Sequence, residues 1–145
     1  MRDQDVYILI GEDDADDRFL LQTAFDEVRP KSHLAFVENG VELLDFLDGK
    51  TKQEQALPVF ILLDLNMPKK DGREVLRELK AHPTLQRIPV IMFSTTNNEH
   101  EIRRCYELGA NSYITKPDSF GGLQEIVKAL CGYWLGEAQP ALSVQ

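Results

Sequence analysis

The stretch Val59-Phe60-Ile61-Leu62-Leu63-Asp64 decides the fold, because an apolar run ends abruptly on a carboxylate. Leu65-Asn66-Met67-Pro68 follows at once and turns the run into a loop. A short apolar run bounded by a loop is typical of a strand that is covered on both faces. Such a strand would present Asp64 at its carboxyl end, and in open α/β sheets ligands bind beside the carboxyl ends of the strands.

Working outward from this stretch, apolar segments alternate with segments of helical period along the whole chain. The predicted strands are residues 7–10, 34–37, 59–63, 89–93 and 112–114. The predicted helices are residues 15–28, 41–47, 72–82, 99–108 and 119–134, and residues 49–57 are expected to form a surface loop. Strands that alternate with helices predict a parallel five-stranded sheet with helices on both sides, an α/β fold of the (βα)5 kind. Periodicity alone leaves the order of the strands open.

Length and charge bound the class of protein. The 145 residues suffice for one domain, which we place at residues 1–135 with a C-terminal tail at 136–145. A net charge of −8 argues against a direct nucleic-acid partner, because phosphate contacts need clustered Lys and Arg. No apolar stretch approaches the roughly 18 residues of a membrane span, and the polar N-terminus is unlike a signal peptide. We therefore expect a cytoplasmic protein that binds neither membrane nor nucleic acid.

Charged side chains also follow the first and the fifth predicted strands. Glu12-Asp13-Asp14 comes after the first strand, and Lys116 comes after the fifth. If the first and third strands are neighbours, the carboxylates of Glu12, Asp13 and Asp64 converge. Two like charges about 4 Å apart repel by roughly 4 kcal/mol at an effective dielectric constant of 20, and a hard cation such as Mg²⁺ would remove that repulsion. By itself, the run Glu12-Asp13-Asp14 is also typical of a solvated loop with a helix cap, and Asp64 by itself is also typical of a loop acid.

The combination of acids with one lysine indicates phosphoryl chemistry. A carboxylate such as Asp64 can act as a nucleophile toward phosphorus and form an acyl phosphate. Mg²⁺, the point charge of Lys116 and the hydroxyl of Ser94 would then face the phosphoryl oxygens. The chain has no glycine-rich loop of the GxxxxGKS type, so nucleotide binding is not indicated.

At these residues the chain resembles the receiver domain of two-component response regulators, over about Val6 to Trp134. The motifs that carry the resemblance are Glu12-Asp13, Asp64-Leu65-Asn66-Met67-Pro68, Asp71-Gly72, Ser94-Thr95 and Tyr113-Ile114-Thr115-Lys116-Pro117. The resemblance implies a doubly wound, flavodoxin-like sheet with strand order 2-1-3-4-5. The sequence departs from the family pattern at Gly11, where an apolar strand residue is usual, and at Ser94, where threonine is commoner.

The resemblance also implies a role for each site residue. Asp64 would be the phosphoacceptor, and Lys116 would pair with a phosphoryl oxygen. Magnesium would be held by Asp64, by the acid pair Glu12 and Asp13, and by the backbone carbonyl of Asn66. Ser94 would be the switch hydroxyl and Tyr113 the aromatic that swings inward with it. A cis bond between Lys116 and Pro117 is implied as well.

The implied function is that of a single-domain response regulator, a phosphoacceptor signalling protein that promotes only its own phosphotransfer and dephosphorylation. A histidine kinase would supply the phosphoryl group in a reaction that depends on Mg²⁺. The surface formed by the fourth helix, the fifth strand and the fifth helix would then change shape. Leu63 to Gly72 and His82 to Pro89 are similar to a subgroup of stand-alone receivers that includes partners of bacterial phytochromes.

The output partner is open at this point. A downstream protein, a phosphotransfer protein or a second copy of the chain would each serve. Tyr133-Trp134-Leu135 is either a self-association surface or an ordinary contact of the last helix with the core.

Two alternatives differ in class. One is a protein-binding module of the same fold that is never phosphorylated, against which the intact acid set and Lys116 argue. The other is a phosphohydrolase of the haloacid dehalogenase type, whose pattern resembles Asp-x-Asp. This chain has Asn66 instead of an acid two positions after Asp64.

Overall fold

Strands and helices alternate through the whole of the described chain. The computed structural model describes residues 6–137. The strands are β1 (Tyr7–Gly11), β2 (His33–Val37), β3 (Ile61–Leu63), β4 (Val90–Ser94) and β5 (Ser112–Thr115). The helices are α1 (Ala15–Val28), α2 (Gly40–Lys52), α3 (Gly72–Ala81), α4 (Glu99–Glu107) and α5 (Phe120–Gly132). A 3-10 turn, Leu85–Arg87, precedes β4, and a π-helical turn, Tyr133–Glu137, follows α5.

The sheet has the strand order β2-β1-β3-β4-β5, and every neighbouring pair is parallel. This confirms the α/β class and the doubly wound order 2-1-3-4-5. Gly11, the last residue of β1, lies beside Val37 on one side and Leu63 on the other. The first and third strands are therefore neighbours, as convergence of the acids requires, and their carboxyl ends lie at one edge of the sheet.

Two hydrophobic cores lie on opposite faces of the sheet. Leu9, Leu63 and Val75 belong to the core that contacts α2 and α3, whereas Ile8 and Phe25 belong to the core that contacts α1 and α5. Successive side chains of a strand point to opposite faces, so residues 8 and 9 enter different cores. Both faces are covered, which is why the strands are continuously apolar instead of alternating.

Helix α2 is longer than the sequence indicated. It continues to Lys52, so the prediction of a loop from residue 49 is wrong for its first part. The Thr51 hydroxyl donates to the carbonyl of Leu47, and Lys52 pairs with Asp48 one turn earlier. Basic residues in the last turn also favour a helix through its dipole. These local contacts offset the cost of about 1 kcal/mol for Gly49 in a helix interior.

The chain after α5 folds back onto the core. The rings of Trp134 and Phe60 lie 6.1 Å apart, and Leu135 packs against the same core, whereas Tyr133 is 55% exposed. Trp134 and Leu135 thus contact the core, which is one of the two interpretations of this segment; the other is a self-association surface. Of the predicted tail, residues 136 and 137 belong to the π-helical turn and the remainder lies outside the described residues.

Gly11, the departure from the family pattern, is explained by packing. A Cβ atom there would lie 3.1 Å from the Leu63 side chain, 3.2 Å from Leu43 and 3.3 Å from Met67. The facing side chains already fill the space that an apolar residue would take.

Among residues 6–137, no helix combines the length and apolar character needed to cross a bilayer.

Candidate metal and phosphoryl-transfer site

Backbone hydrogen bonds between neighbouring parallel strands continue for one residue beyond the ends of β1, β3 and β5. The N–H of Asp64 donates to the carbonyl of Gly11 at 3.0 Å, and the N–H of Glu12 donates to that of Val37 at 2.9 Å. The N–H of Lys116 donates to the carbonyl of Ser94 at 2.8 Å. Residues far apart in the chain are thereby fixed at one edge of the sheet.

Three carboxylates meet there. Oxygens of Glu12, Asp13 and Asp64 all lie within 4.8 Å of one another. Glu12 is 2% exposed and Asp64 is 7% exposed, whereas Asp13 faces solvent. A group of hard oxygen donors that is open on one side fits Mg²⁺, which binds through a few carboxylates and keeps several waters. The predicted metal-binding acids are therefore brought together.

The Lys116 ammonium completes the charge arrangement. It donates to Glu12 Oε1 at 2.6 Å, to Asp64 Oδ2 at 3.0 Å and to Asp17 Oδ2 at 3.0 Å. Its side chain is only 11% exposed. The contacts with Glu12 and Asp64 place the lysine where the sequence predicted it, beside the proposed phosphoacceptor.

The bond between Lys116 and Pro117 is trans, so the cis bond implied by the family resemblance is wrong for this chain. A trans bond before proline is favoured by about 0.5–1 kcal/mol in general. From this trans backbone the N–H of Lys116 donates to the carbonyl of Ser94, and the side chain reaches Asp64.

Burial and neighbouring charges shift the proton affinities of this pair. Desolvation raises the pKa of Glu12 to about 7, the charge of Asp64 adds to the rise, and the hydrogen bond from Lys116 opposes it. Burial by itself lowers the pKa of Lys116, but hydrogen bonds to Glu12 and Asp17 outweigh burial and raise it overall. Lys116 is therefore a fixed cation, whereas Glu12 exchanges its proton near neutral pH.

The loop after β3 holds the Asp64 carboxylate from the other side. The N–H of Asn66 donates to Asp64 Oδ1 at 3.2 Å, so each carboxylate oxygen of Asp64 has its own donor. Asp71 caps α3 by accepting from the N–H of Glu74. The N–H of Gly72 donates to the carbonyl of Leu65 at 2.8 Å. The Asp71-Gly72 motif thus anchors the start of α3 against the loop that carries Asp64.

Ser94 and Tyr113 both contact the loop after β4. Ser94 is fully buried, and its Oγ accepts from the N–H of Thr96 at 3.4 Å. The Tyr113 hydroxyl donates to the carbonyl of Thr96 at 2.6 Å. Burial raises the pKa of Tyr113, with a smaller opposing effect from the Ser94 hydroxyl. The aromatic ring is therefore directed toward this loop and toward Ser94.

Sequence reasoning missed three residues at this edge. Asp17 binds Lys116, and the guanidinium of Arg18 donates to the carbonyl of Glu12 at 3.0 Å and pairs with Glu38 at 3.2 Å. The hydroxyl of Tyr106 accepts from the N–H of Tyr113 at 3.0 Å. A signal existed for Asp17, because it lies one helical turn after Asp13 in an unusually acidic run.

A family model for the response regulator receiver domain matches residues 8–128. The chain belongs to this family. Its site is therefore the acidic, divalent-metal-binding site of a receiver domain, and the receiver family is a signalling family. The chain is 39% identical to the response regulator Rcp1 of Synechocystis over 129 residues, covering 88% of each sequence.

Solved structures agree with the receiver assignment. The phosphorylated cyanobacterial phytochrome response regulator RcpA is 40% identical with a TM-score of 0.84, covering 93% of this chain and 97% of that one. The Mn²⁺-bound form of Rcp1 is 37% identical with a TM-score of 0.82 and the same coverage. Similar receivers thus have structures in a phosphorylated state and in a metal-bound state. This chain likewise has the three-carboxylate cluster of a receiver metal site.

Proposed function

We propose that Asp64 is the phosphoacceptor of this receiver and that a histidine kinase supplies the phosphoryl group. The observation that carries the proposal is the position of the Asp64 carboxylate between two charge systems. The Lys116 ammonium lies 3.0 Å from Asp64 Oδ2, and the oxygens of Glu12 and Asp13 lie within 4.8 Å of Asp64 on the metal-binding side. An anionic group on Asp64 would therefore have cations available from two directions.

The transfer step follows from this geometry. An oxygen of the Asp64 carboxylate forms a bond to phosphorus while the P–N bond of a phosphohistidine breaks. The other ring nitrogen of that phosphohistidine carries a proton, so the electron pair that stays on the released nitrogen leaves a neutral imidazole. Glu12, Asp13, Asp64 and the backbone carbonyl of Asn66 would hold Mg²⁺, which supplies positive charge against the phosphoryl oxygens. Lys116 covers an oxygen on the opposite side as a compact point charge.

The switch would start at Ser94. Its hydroxyl donates to a phosphoryl oxygen when the group arrives, and this changes the contact that Ser94 makes with the N–H of Thr96. The Tyr113 hydroxyl is bound to the carbonyl of the same residue, so the loop after β4 connects the site to β5. The surface of α4, β5 and α5 is the surface that changes. Because two such states differ by only a few kcal/mol, local charge is sufficient to shift the population.

We propose a kinase of the phytochrome class as the partner. The support is the similarity to a cyanobacterial phytochrome response regulator and to Rcp1. The output would pass to a downstream protein, to a phosphotransfer protein or to a second copy of the chain. We further propose that the receiver domain occupies residues 1–135, that it has no catalytic turnover beyond its own phosphorylation cycle and that it acts in the cytoplasm.

Phosphorylation by acetyl phosphate tests the role of Asp64. With Mg²⁺ present, the wild-type chain should gain the mass of a single phosphoryl group, and Asp64→Asn should gain none. Asp45→Asn is the matched control, because it removes an equal charge from the exposed side of α2. Chelation of Mg²⁺ should abolish the gain, since the acid cluster would then lack its counter-charge.

The opposite outcome is equally clear. If neither acetyl phosphate nor a phytochrome-class kinase adds a phosphoryl group to the wild-type chain, the protein is the non-phosphorylated binding module. Phosphorylation that persists in Asp64→Asn would mean that another residue is the acceptor. A kinase of an unrelated class that phosphorylates the chain as fast as a phytochrome-class kinase would overturn the choice of partner alone.

A further inference from the structure

We propose that Asp17 limits the availability of Lys116 to the phosphoryl group and thereby weakens the binding of an anionic group on Asp64. Asp17 Oδ2 accepts from the Lys116 ammonium at 3.0 Å, although Asp17 is not one of the clustered metal-binding acids. It is thus a positioning residue that acts through the lysine. This inference rests on the proposed role of Asp64.

The Lys116 ammonium has no spare hydrogen-bond donor in this structure. An ammonium group has three N–H donors and no acceptor. The structure uses all three, on Glu12, Asp17 and Asp64. A phosphoryl oxygen on Asp64 can therefore accept a hydrogen bond from Lys116 only when the bond from Lys116 to one of these carboxylates breaks or weakens.

The three carboxylates that hold Lys116 differ in how easily they can release it. The side chain of Glu12 is 2% exposed and its contact is the shortest of the three, at 2.6 Å. The side chain of Asp17 is 36% exposed, so water can replace the lysine there. A buried carboxylate that loses its partner is left desolvated and without a hydrogen bond, which is unfavourable, whereas water replaces the partner of an exposed carboxylate. Asp17 is consequently the partner that competes with the phosphoryl group and can yield to it.

The negative charge of Asp17 also acts directly on an anionic group at Asp64. Asp17 Oδ2 and Asp64 Oδ2 both lie 3.0 Å from the same nitrogen, so these oxygens are within about 6 Å of each other. A phosphoryl group on Asp64 adds roughly −1.5 to −2 charge close to the Asp17 carboxylate. Repulsion between them and the sharing of Lys116 act in the same direction, so Asp17 disfavours the phosphorylated state.

The same contact would also fit the opposite role, in which Asp17 only holds Lys116 in position. The two roles predict opposite signs. Removal of a competitor strengthens the binding of an anion on Asp64, whereas removal of an anchor weakens it. The sign of the change therefore decides between them, and a loss of fold stability does not imitate the competitor result.

The experiment uses the full chain and beryllium fluoride, an anionic mimic of the phosphoryl group that binds to a carboxylate. Its affinity is measured by calorimetry at saturating Mg²⁺ for the wild type, Asp17→Asn and Asp16→Asn. Asp16 is the matched control, because it removes the same charge from the adjacent position of α1 and is exposed. We expect Asp17→Asn to bind the mimic at least threefold more tightly than both other proteins.

Asp17→Glu keeps the charge and should return the affinity to within twofold of the wild type. Equal or weaker binding in Asp17→Asn overturns the inference, as does an equal gain in Asp16→Asn, which would show an effect of net charge alone. These failures leave the proposed function intact if the wild type is still phosphorylated on Asp64. A wild type that neither binds the mimic nor accepts a phosphoryl group overturns both.

Discussion

At the scale of single residues, Glu12 sets the charge state of the site. Its side chain is almost fully buried, contacts the Lys116 ammonium and lies next to Asp64. Burial raises its pKa to about 7, which is close to physiological pH. A buried ion pair of this kind contributes little to stability by itself, because desolvation offsets the attraction. The burial of this carboxylate is therefore not explained by a gain in folding stability.

Glu12 should make the stability of the metal-free protein fall as the pH rises. The folded chain keeps the Glu12 proton up to a pH of about 7, whereas the unfolded chain releases it near the ordinary value of 4.5. The folded state thus binds more protons between these values, and a rising pH favours unfolding. Relative to Glu12→Gln, the free energy of unfolding of the wild type should fall by on the order of 2 kcal/mol from about pH 5 to about pH 8.

Urea unfolding with a chelator present measures this difference. Glu107→Gln is the control, because Glu107 is exposed on α4 and its replacement should leave the pH profile unchanged. Parallel profiles for the wild type and Glu12→Gln would show that Glu12 is ionised throughout this range.

At the scale of secondary-structure elements, the approach of α3 to the end of β3 fixes the Asp64 loop. A Cβ atom on Gly72 would lie 2.5 Å from the carbonyl oxygen of Asp64 and 2.8 Å from the Cα of Leu65. Both neighbours are backbone atoms, which cannot move aside as a flexible side chain can. Only glycine therefore lets the first turn of α3 pack this closely.

Replacing Gly72 with alanine should destabilise the protein by about 1–3 kcal/mol, the usual cost of overpacking. It should also slow phosphorylation of Asp64, because the backbone of Asp64 has to shift. Gly49→Ala is the matched control, since a Cβ atom there meets nothing within 4 Å. Alanine in the interior of α2 should raise the free energy of unfolding by about 0.5–1 kcal/mol. Chemical denaturation of both variants provides the measurement, and destabilisation of equal size would argue against the packing explanation.

At the scale of the whole molecule, the negative charge is concentrated where the strands end. The chain carries a net charge of −8, and five of the six residues from Glu12 to Asp17 are acidic. Asp64 and Glu12 of this region are buried, so their repulsion is screened less than that of surface charges. Folding therefore gathers like charges, which Lys116 balances in part and a bound cation would balance further.

Magnesium should consequently stabilise the folded chain as a whole. A ligand that binds only the folded state adds about 2.7 kcal/mol to the free energy of unfolding at one hundred times its Kd. Thermal unfolding with MgCl₂, compared with NaCl of equal ionic strength, measures this effect. Asp13→Asn should abolish most of it and leave the metal-free fold intact, because Asp13 is exposed. A rise in Tm of equal size with NaCl would instead indicate simple screening.

The sequence alone predicted the α/β class and the position of most strands and helices. It also predicted the set Glu12, Asp13, Asp64 and Lys116, which the structure brings together. Periodicity reports which face of a segment is buried, and a polar residue directly after a buried strand marks its end. Family resemblance, rather than periodicity, supplied the strand order, which the structure confirms. It also supplied a cis bond before Pro117, which the structure contradicts.

Only the tertiary structure decided which partners meet across the sheet edge. The contact between Lys116 and Asp17 joins residues at opposite ends of the chain, as does the contact between Lys116 and Glu12. The bonds from Tyr113 to Thr96 and Tyr106 depend likewise on how β4, β5 and α4 pack. A local pattern describes one segment against an average environment, whereas a contact of about 3 Å between distant residues depends on the exact placement of several elements at once.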